Sequence, residues 1–173
     1  MQKRDVELVN GQTGEVVRRE LAVAGWREWV GLPELGLDAV KAKLDTGARS
    51  SSLHADDVTI VDRDGVPFAR FSVRPWQRTS SGAVWGELPL LDERTVRSST
   101  GHVETRPVVL GSVAIVGLLV PAEITLTNRD SMGFRMLIGR EALRGRLLVN
   151  SGRSYVGGRP SREIRLQNRG RSG

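Results

Sequence analysis

The sequence predicts an all-β protein, a closed or folded-over β barrel carrying one short helix. Three observations predict it. Glycine is frequent, at 20 of 173 residues. Val, Leu and Thr recur in short runs whose apolar residues alternate, which is the period of a strand and not of a helix. The one convincing helical pattern, REALRG, is short and stops at Gly145.

In chain order, residues 1–22 are expected to form a flexible lead-in, and a domain over residues 23–150 follows. WREWVGL, PELG and LDAVKAKL read as strand, turn and strand, with Pro33 early and Gly36 late in the reversal. DDVTIVDRDGVPFARFSVRP reads as a hairpin about Asp62-Arg63-Asp64-Gly65. After the loop QRTSSG, AVWGELPLL and VETRPVVLG flank DERTVRSSTGH, a second hairpin with a long polar tip. VAIVGLLVPAEITLT gives one or two further strands. FRMLIG ends in a turn, REALRG is the helix and RLLVN a final strand. The count is roughly eight or more strands, with no solenoid repeat.

The formal net charge is +6, and its location matters. From Ser151 onward six Arg and one Glu contribute +5, and the rest of the chain, with 20 basic and 19 acidic residues, contributes +1. Residues 151–173 therefore read as a basic Arg/Gly-rich tail, mostly disordered. Such a tail could make weak RNA or ribosome contact. Tyr155 is its one aromatic residue, which gives base stacking little support.

The absence of cysteine excludes disulfides, Cys-based metal clusters and a thiol nucleophile. MQKRDVELVNGQTGEVVRRE has no apolar core of signal-peptide length. The longest apolar stretch, VAIVGLLVPA, is about ten residues and too short for a bilayer. A cytoplasmic location without membrane contact is expected.

The segment that carries chemistry is KAKLDTGARSSSLHA. Strand alternation puts Lys41, Lys43 and Asp45 on one face, with Lys43 and Asp45 about 6.5–7 Å apart along the backbone. Asp45 ends the strand, Thr46 can hydrogen-bond locally, Gly47 permits the turn and Ala48 allows close approach of another backbone. One carboxylate is a poor hydrolase, whereas two that share a proton activate water and protonate the carbonyl or leaving group. The chain has a single Asp-Thr-Gly. A twofold-related second copy would supply the other.

DTGA at 45–48 with LIGREAL at 137–143 resembles the pattern of retropepsin-like aspartic proteases, over about residues 25–150. The longer strings GWREWVGLPELGLDAVKAKLDTGARSSSLHA, LDERTVRSSTG and ITLTNRDSMGFRMLIGREALRGRLLV resemble one bacterial family similar to retropepsins in fold. Its members are often labelled ATP-dependent zinc proteases, and some accompany an ATP-grasp ligase that adds glutamates to a ribosomal protein. The resemblance implies an acid-protease barrel, with Asp45, Thr46 and Gly47 as the catalytic triplet of a homodimeric aspartic endopeptidase that trims poly-glutamate tails, and no cofactor.

Two departures from viral retropepsins stand out. Arg49 occupies a position where an Asp is common, so Arg140 of the helix would face an arginine in place of an intersubunit carboxylate. The hairpin tip is polar and not glycine-rich. The first bears on the dimer geometry; the second suits an acidic substrate, because charge-assisted hydrogen bonds are the strong ones. Arg97, Ser98 and Ser99 from the tip, with Lys43, Ala48 and Arg49 below, are the expected substrate-binding residues; Lys43 would also lower the pKa of the carboxyl pair.

Two other functions fit these residues. One is a non-catalytic binding module for acidic peptides. The other is a zinc-dependent hydrolase, for which His54, His102 and Asp45 would have to meet, although no H-E-x-x-H is present. The chain also lacks G-x-x-x-x-G-K-[ST], so any ATP dependence belongs to a partner.

Overall fold

A computed structural model describes residues 1–9, 12–14, 16–76, 82–97, 103–128 and 133–167. Twelve strands are found among them. In chain order these are β1 (Lys3–Val9), β2 (Val16–Gly25), β3 (Arg27–Leu32), β4 (Leu37–Asp45), β5 (Ser51–His54) and β6 (Asp56–Arg63). β7 (Val66–Val73), β8 (Val84–Arg97), β9 (Val103–Ile115), β10 (Leu118–Thr127), β11 (Met136–Gly139) and β12 (Leu147–Asn150) complete the set. Two short helices, α1 (Arg140–Leu143) and α2 (Arg162–Gln167), and a 3-10 turn at Pro33–Leu35 lie between or after them.

The strands β10, β5, β11, β4, β3 and β9 pair in that order, and β9 pairs back onto β10. This circuit closes a six-stranded barrel, and closure removes the exposed edges that an open sheet must protect. β8, β7 and β6 continue outward from β9 as an antiparallel extension. The alternation that predicted strands also sorts their faces. Along β3, Arg27, Trp29 and Gly31 are part-exposed, while Glu28, Val30 and Leu32 are buried. Val40, Ala42 and Leu44 of β4 meet Leu53, Ile124 and Ile138 in one continuous core.

The predicted turns form where their chemistry allows. Gly36 has φ of 63° and its N–H bonds the Pro33 carbonyl at 2.9 Å. Asp64 and Gly65 both have positive φ between the paired residues Arg63 and Val66, a tight hairpin turn.

Several elements differ from expectation. The long polar tip predicted for DERTVRSSTGH is mostly strand: β8 runs on to Arg97, which pairs with Val103, so Asp92–Arg97 belong to the ladder. The division after Gly111 is absent as well, because β9 continues to Ile115 and turns at Val116-Gly117. Gly111 is a packing glycine, since a Cβ there would meet Leu88 and Ile124 side chains at 3.3 and 3.4 Å.

The expected lead-in is an antiparallel pair of strands, β1 with β2, and β12 adds to β2 in parallel. Charged residues dominate its surface yet match across the pair: Glu7 lies opposite Arg18, with an ion pair of 2.8 Å. The expected disordered tail is ordered through Gln167. Glu28, fully buried, accepts the N–H groups of Gly25 at 2.6 Å, Val156 at 2.8 Å and Gly157 at 3.1 Å. Trp26 donates its N–H to Arg153, and Tyr155 donates to the carbonyl of Arg27. Residues 153–157 thus strap the start of β3.

Candidate active site

β4 ends at Asp45 and β5 begins at Ser51, but the two strands do not pair with each other. β11 lies between them. It runs parallel to β4, with Gly139 beside Asp45, and antiparallel to β5, with Met136 beside Leu53. The loop 46–50 must therefore cross the end of β11. Gly139 makes the crossing possible: a Cβ there would collide with the Ser50 carbonyl and lie 2.7 Å from the Arg49 oxygen.

Below the crossing the loop is fastened by its own backbone. Arg140 and Glu141 donate N–H groups to the carbonyls of Ala48 and Arg49 at 2.8 and 3.1 Å. Gly139 donates to the Ser51 hydroxyl at 3.2 Å. The Arg140 guanidinium reaches the Gly47 carbonyl at 3.3 Å, so within one chain it holds the loop backbone.

Asp45 sits at the outer end of this frame. Its Oδ1 accepts from the N–H groups of Gly47 at 3.1 Å and Ala48 at 3.2 Å. Its Oδ2 lies 3.3 Å from Lys43 Nζ. Partial burial pushes the carboxyl pKa up, but the Lys43 hydrogen bond and charge, with the two backbone donors, outweigh it and hold the group below the usual carboxylate value. The carboxylate is ionised near neutral pH and is 28% exposed, so it remains reachable.

Thr46 is exposed in the loop. Arg49 lines a pocket of about 250 Å³ with Ser50, Ser51, Arg94, Glu123 and Arg146. Arg94 is matched there by Glu123 at 2.7 Å and Asp92 at 3.1 Å. Arg97 ends β8, while Ser98, Ser99 and His102 lie outside the described residues.

His54 and Asp45 are not brought together. His54 N–H bonds the Arg135 carbonyl, whereas Asp45 lies beside Gly139, so about 13 Å of β11 separates them at roughly 3.3 Å per residue. His54 is buried, with Nε2 3.8 Å from Asp56. Among the described residues no cluster of three His, Cys, Asp or Glu could hold a metal ion.

The model of a family described as retropepsin-like aspartic endopeptidase RimB matches residues 23–160. The chain belongs to the RimB-like family. Curated relatives include probable alpha-L-glutamate ligases of Parasynechococcus marenigrum, 45% identical over 74% of the chain, and of Shewanella halifaxensis, 40% identical over 77%. The chain spans 28% and 29% of the length of these relatives. Among solved structures, a Legionella pneumophila protein of unknown function aligns at a TM-score of 0.66 and 29% identity, covering 79% of this chain and 98% of that one. The RimB-like match extends beyond β12 and takes in the strap.

Sequence reasoning missed that strap and the residues it holds, Arg27 and Glu28. Their one local signal was a charged pair set between two aromatic residues in Trp26-Arg27-Glu28-Trp29.

Proposed function

We propose that this chain is an aspartic endopeptidase that pairs Asp45 with its counterpart in a second copy and cleaves acidic, poly-glutamate tails of a ribosomal protein in the cytoplasm. The observation that carries the proposal is the setting of Asp45: a partly exposed carboxylate, cradled by two N–H groups, at the mouth of a loop braced by Gly139 and Arg140.

A single ionised carboxylate accepts a proton but has none to give. A second, proton-sharing carboxyl completes the chemistry. One carboxylate takes a proton from water as its oxygen attacks the scissile carbonyl carbon, and the protonated partner donates to the carbonyl oxygen. Collapse of the tetrahedral intermediate breaks the C–N bond as the nitrogen receives a proton. Repulsion between the two carboxyls retains the shared proton, and Lys43, which favours the ionised form, stabilises the carboxylate that serves as base.

The acidic substrate is supported by the cations near the loop and by relatives named as glutamate ligases. Arg97, Ser98 and Ser99 are substrate-binding residues in this reading. Mass spectrometry of a peptide ending in several glutamates tests it: stepwise shortening by the native protein, none by Asp45→Asn, and no effect of a chelator. Equal shortening by Asp45→Asn overturns it.

The Lys43–Asp45 contact favours one second reading, a binding module whose acid is neutralised in place. Measurable binding of an uncut peptide selects that reading.

A further inference from the structure

Arg27 lies directly opposite Lys43 in the antiparallel pairing of β3 with β4. Directly opposed side chains share a face with their Cβ atoms about 5 Å apart, and two like charges so placed repel. The next pair on the same face, away from Asp45, is Trp29 with Lys41, and Leu137 of β11 flanks Lys43 on the other side. Beside Asp45 the sheet therefore carries a two-cation step of which one carboxylate neutralises half.

The fold holds Arg27 in place. Its guanidinium carbon lies 4.5 Å from the Trp26 ring centre and 5.2 Å from that of Tyr155, and Nε donates to the Ser154 hydroxyl at 3.0 Å. Tyr155 and Ser154 belong to the strap fastened by Glu28. Nε is committed to Ser154, and the terminal nitrogens project from a guanidinium oriented in advance. Orientation before binding is what makes an arginine fork selective for a carboxylate.

We infer that Arg27 and Lys43 form a subsite for the side-chain carboxylate of an acidic residue next to the scissile bond, with residues 153–157 as its positioning element. The inference rests on the peptidase reading of Asp45 and adds where that enzyme senses a glutamate. An incoming carboxylate relieves the repulsion between Arg27 and Lys43. It also competes with Asp45 for Lys43, so binding of the correct substrate loosens the contact that holds Asp45 ionised.

The test uses the full chain and a poly-glutamate peptide, with glutamine replacing glutamate at one position at a time. One position should show a loss of about 10- to 100-fold in kcat/KM with the native protein, the range for a lost charged hydrogen bond. In Arg27→Gln that discrimination should fall to near unity, and Arg27→Lys should lie between. An unchanged Glu-to-Gln ratio in folded Arg27→Gln overturns the subsite. Should Arg27→Gln fail to fold, Ser154→Ala removes only the orienting bond; it should narrow the ratio, and an unaltered ratio overturns the inference.

If the native protein cuts no peptide, the peptidase reading fails separately, and binding decides the subsite through the fluorescence of Trp26. Weaker binding of the glutamate peptide by Arg27→Lys supports it, and equal binding overturns it.

Discussion

Lys43 and Asp45 stand two residues apart on one face of β4, and their charged groups meet at 3.3 Å. The lysine thereby favours the ionised form of the acid that the proposed hydrolysis would use. Its removal is informative because the effect has a definite sign.

Lys43→Met should raise the Asp45 pKa, since the contact that favours the ionised form is lost. A carboxyl whose folded pKa is depressed stabilises the protein above its unfolded pKa, and that stability is lost as pH falls through the folded value. In Lys43→Met both the acid limb of peptide cleavage and the acid loss of stability should therefore move to higher pH. A carbon-detected NMR titration of Asp45 reads the shift directly; an unmoved titration would mean that the two backbone donors alone hold the acid down.

Gly139→Ala should cost about 1–3 kcal/mol, the usual range for forcing an extra methyl into a packed site. The added carbon meets the carbonyls of Ser50 and Arg49, which cannot retreat without moving the Asp45 loop. Urea unfolding gives the stability loss. Cleavage should fall further than the folded fraction does.

Glu28→Gln keeps the shape but replaces one acceptor oxygen with a donor, against three N–H groups. The expected loss is about 1–3 kcal/mol, the cost of leaving a buried polar group unsatisfied. Hydrogen exchange at the Val156 and Gly157 amides should quicken selectively. Equal protection there would mean that the strap is held by Trp26 and Tyr155 without the carboxylate.

The barrel was legible in the sequence because alternation and turn chemistry are local. Val40, Ala42 and Leu44 announce a buried face by themselves, and Pro33 to Gly36 announces a reversal. The Asp45 loop was legible for the same reason, from a strand running into Asp-Thr-Gly. What escaped was set by distant pairs. Nothing near Glu28 says that its acceptors are filled from residue 156 onward, and nothing in the polar strand β1 reveals a matched partner in β2. Composition also misled: residues 151–173, rich in Arg, Gly and Ser, read as mostly disordered, yet the backbone N–H groups of Val156 and Gly157 among them bond the buried Glu28 side chain. The polar run Asp92–Arg97 looked like a loop because its ladder is built from charged and hydroxyl side chains.

The placement of β11 has a consequence for how the protein is made. Asp45 and the strand that braces its loop are distant in the chain, and their pairing is parallel, a class of contact with a high loop-closure cost. During synthesis the early strands emerge with a gap where β11 will lie, and the strap that orients Arg27 emerges later still. The candidate site is thus completed only after β11, made long after Asp45, has been added. A ribosome making this protein, itself a carrier of the proposed substrate, must add β11 before the loop that holds Asp45 can be braced.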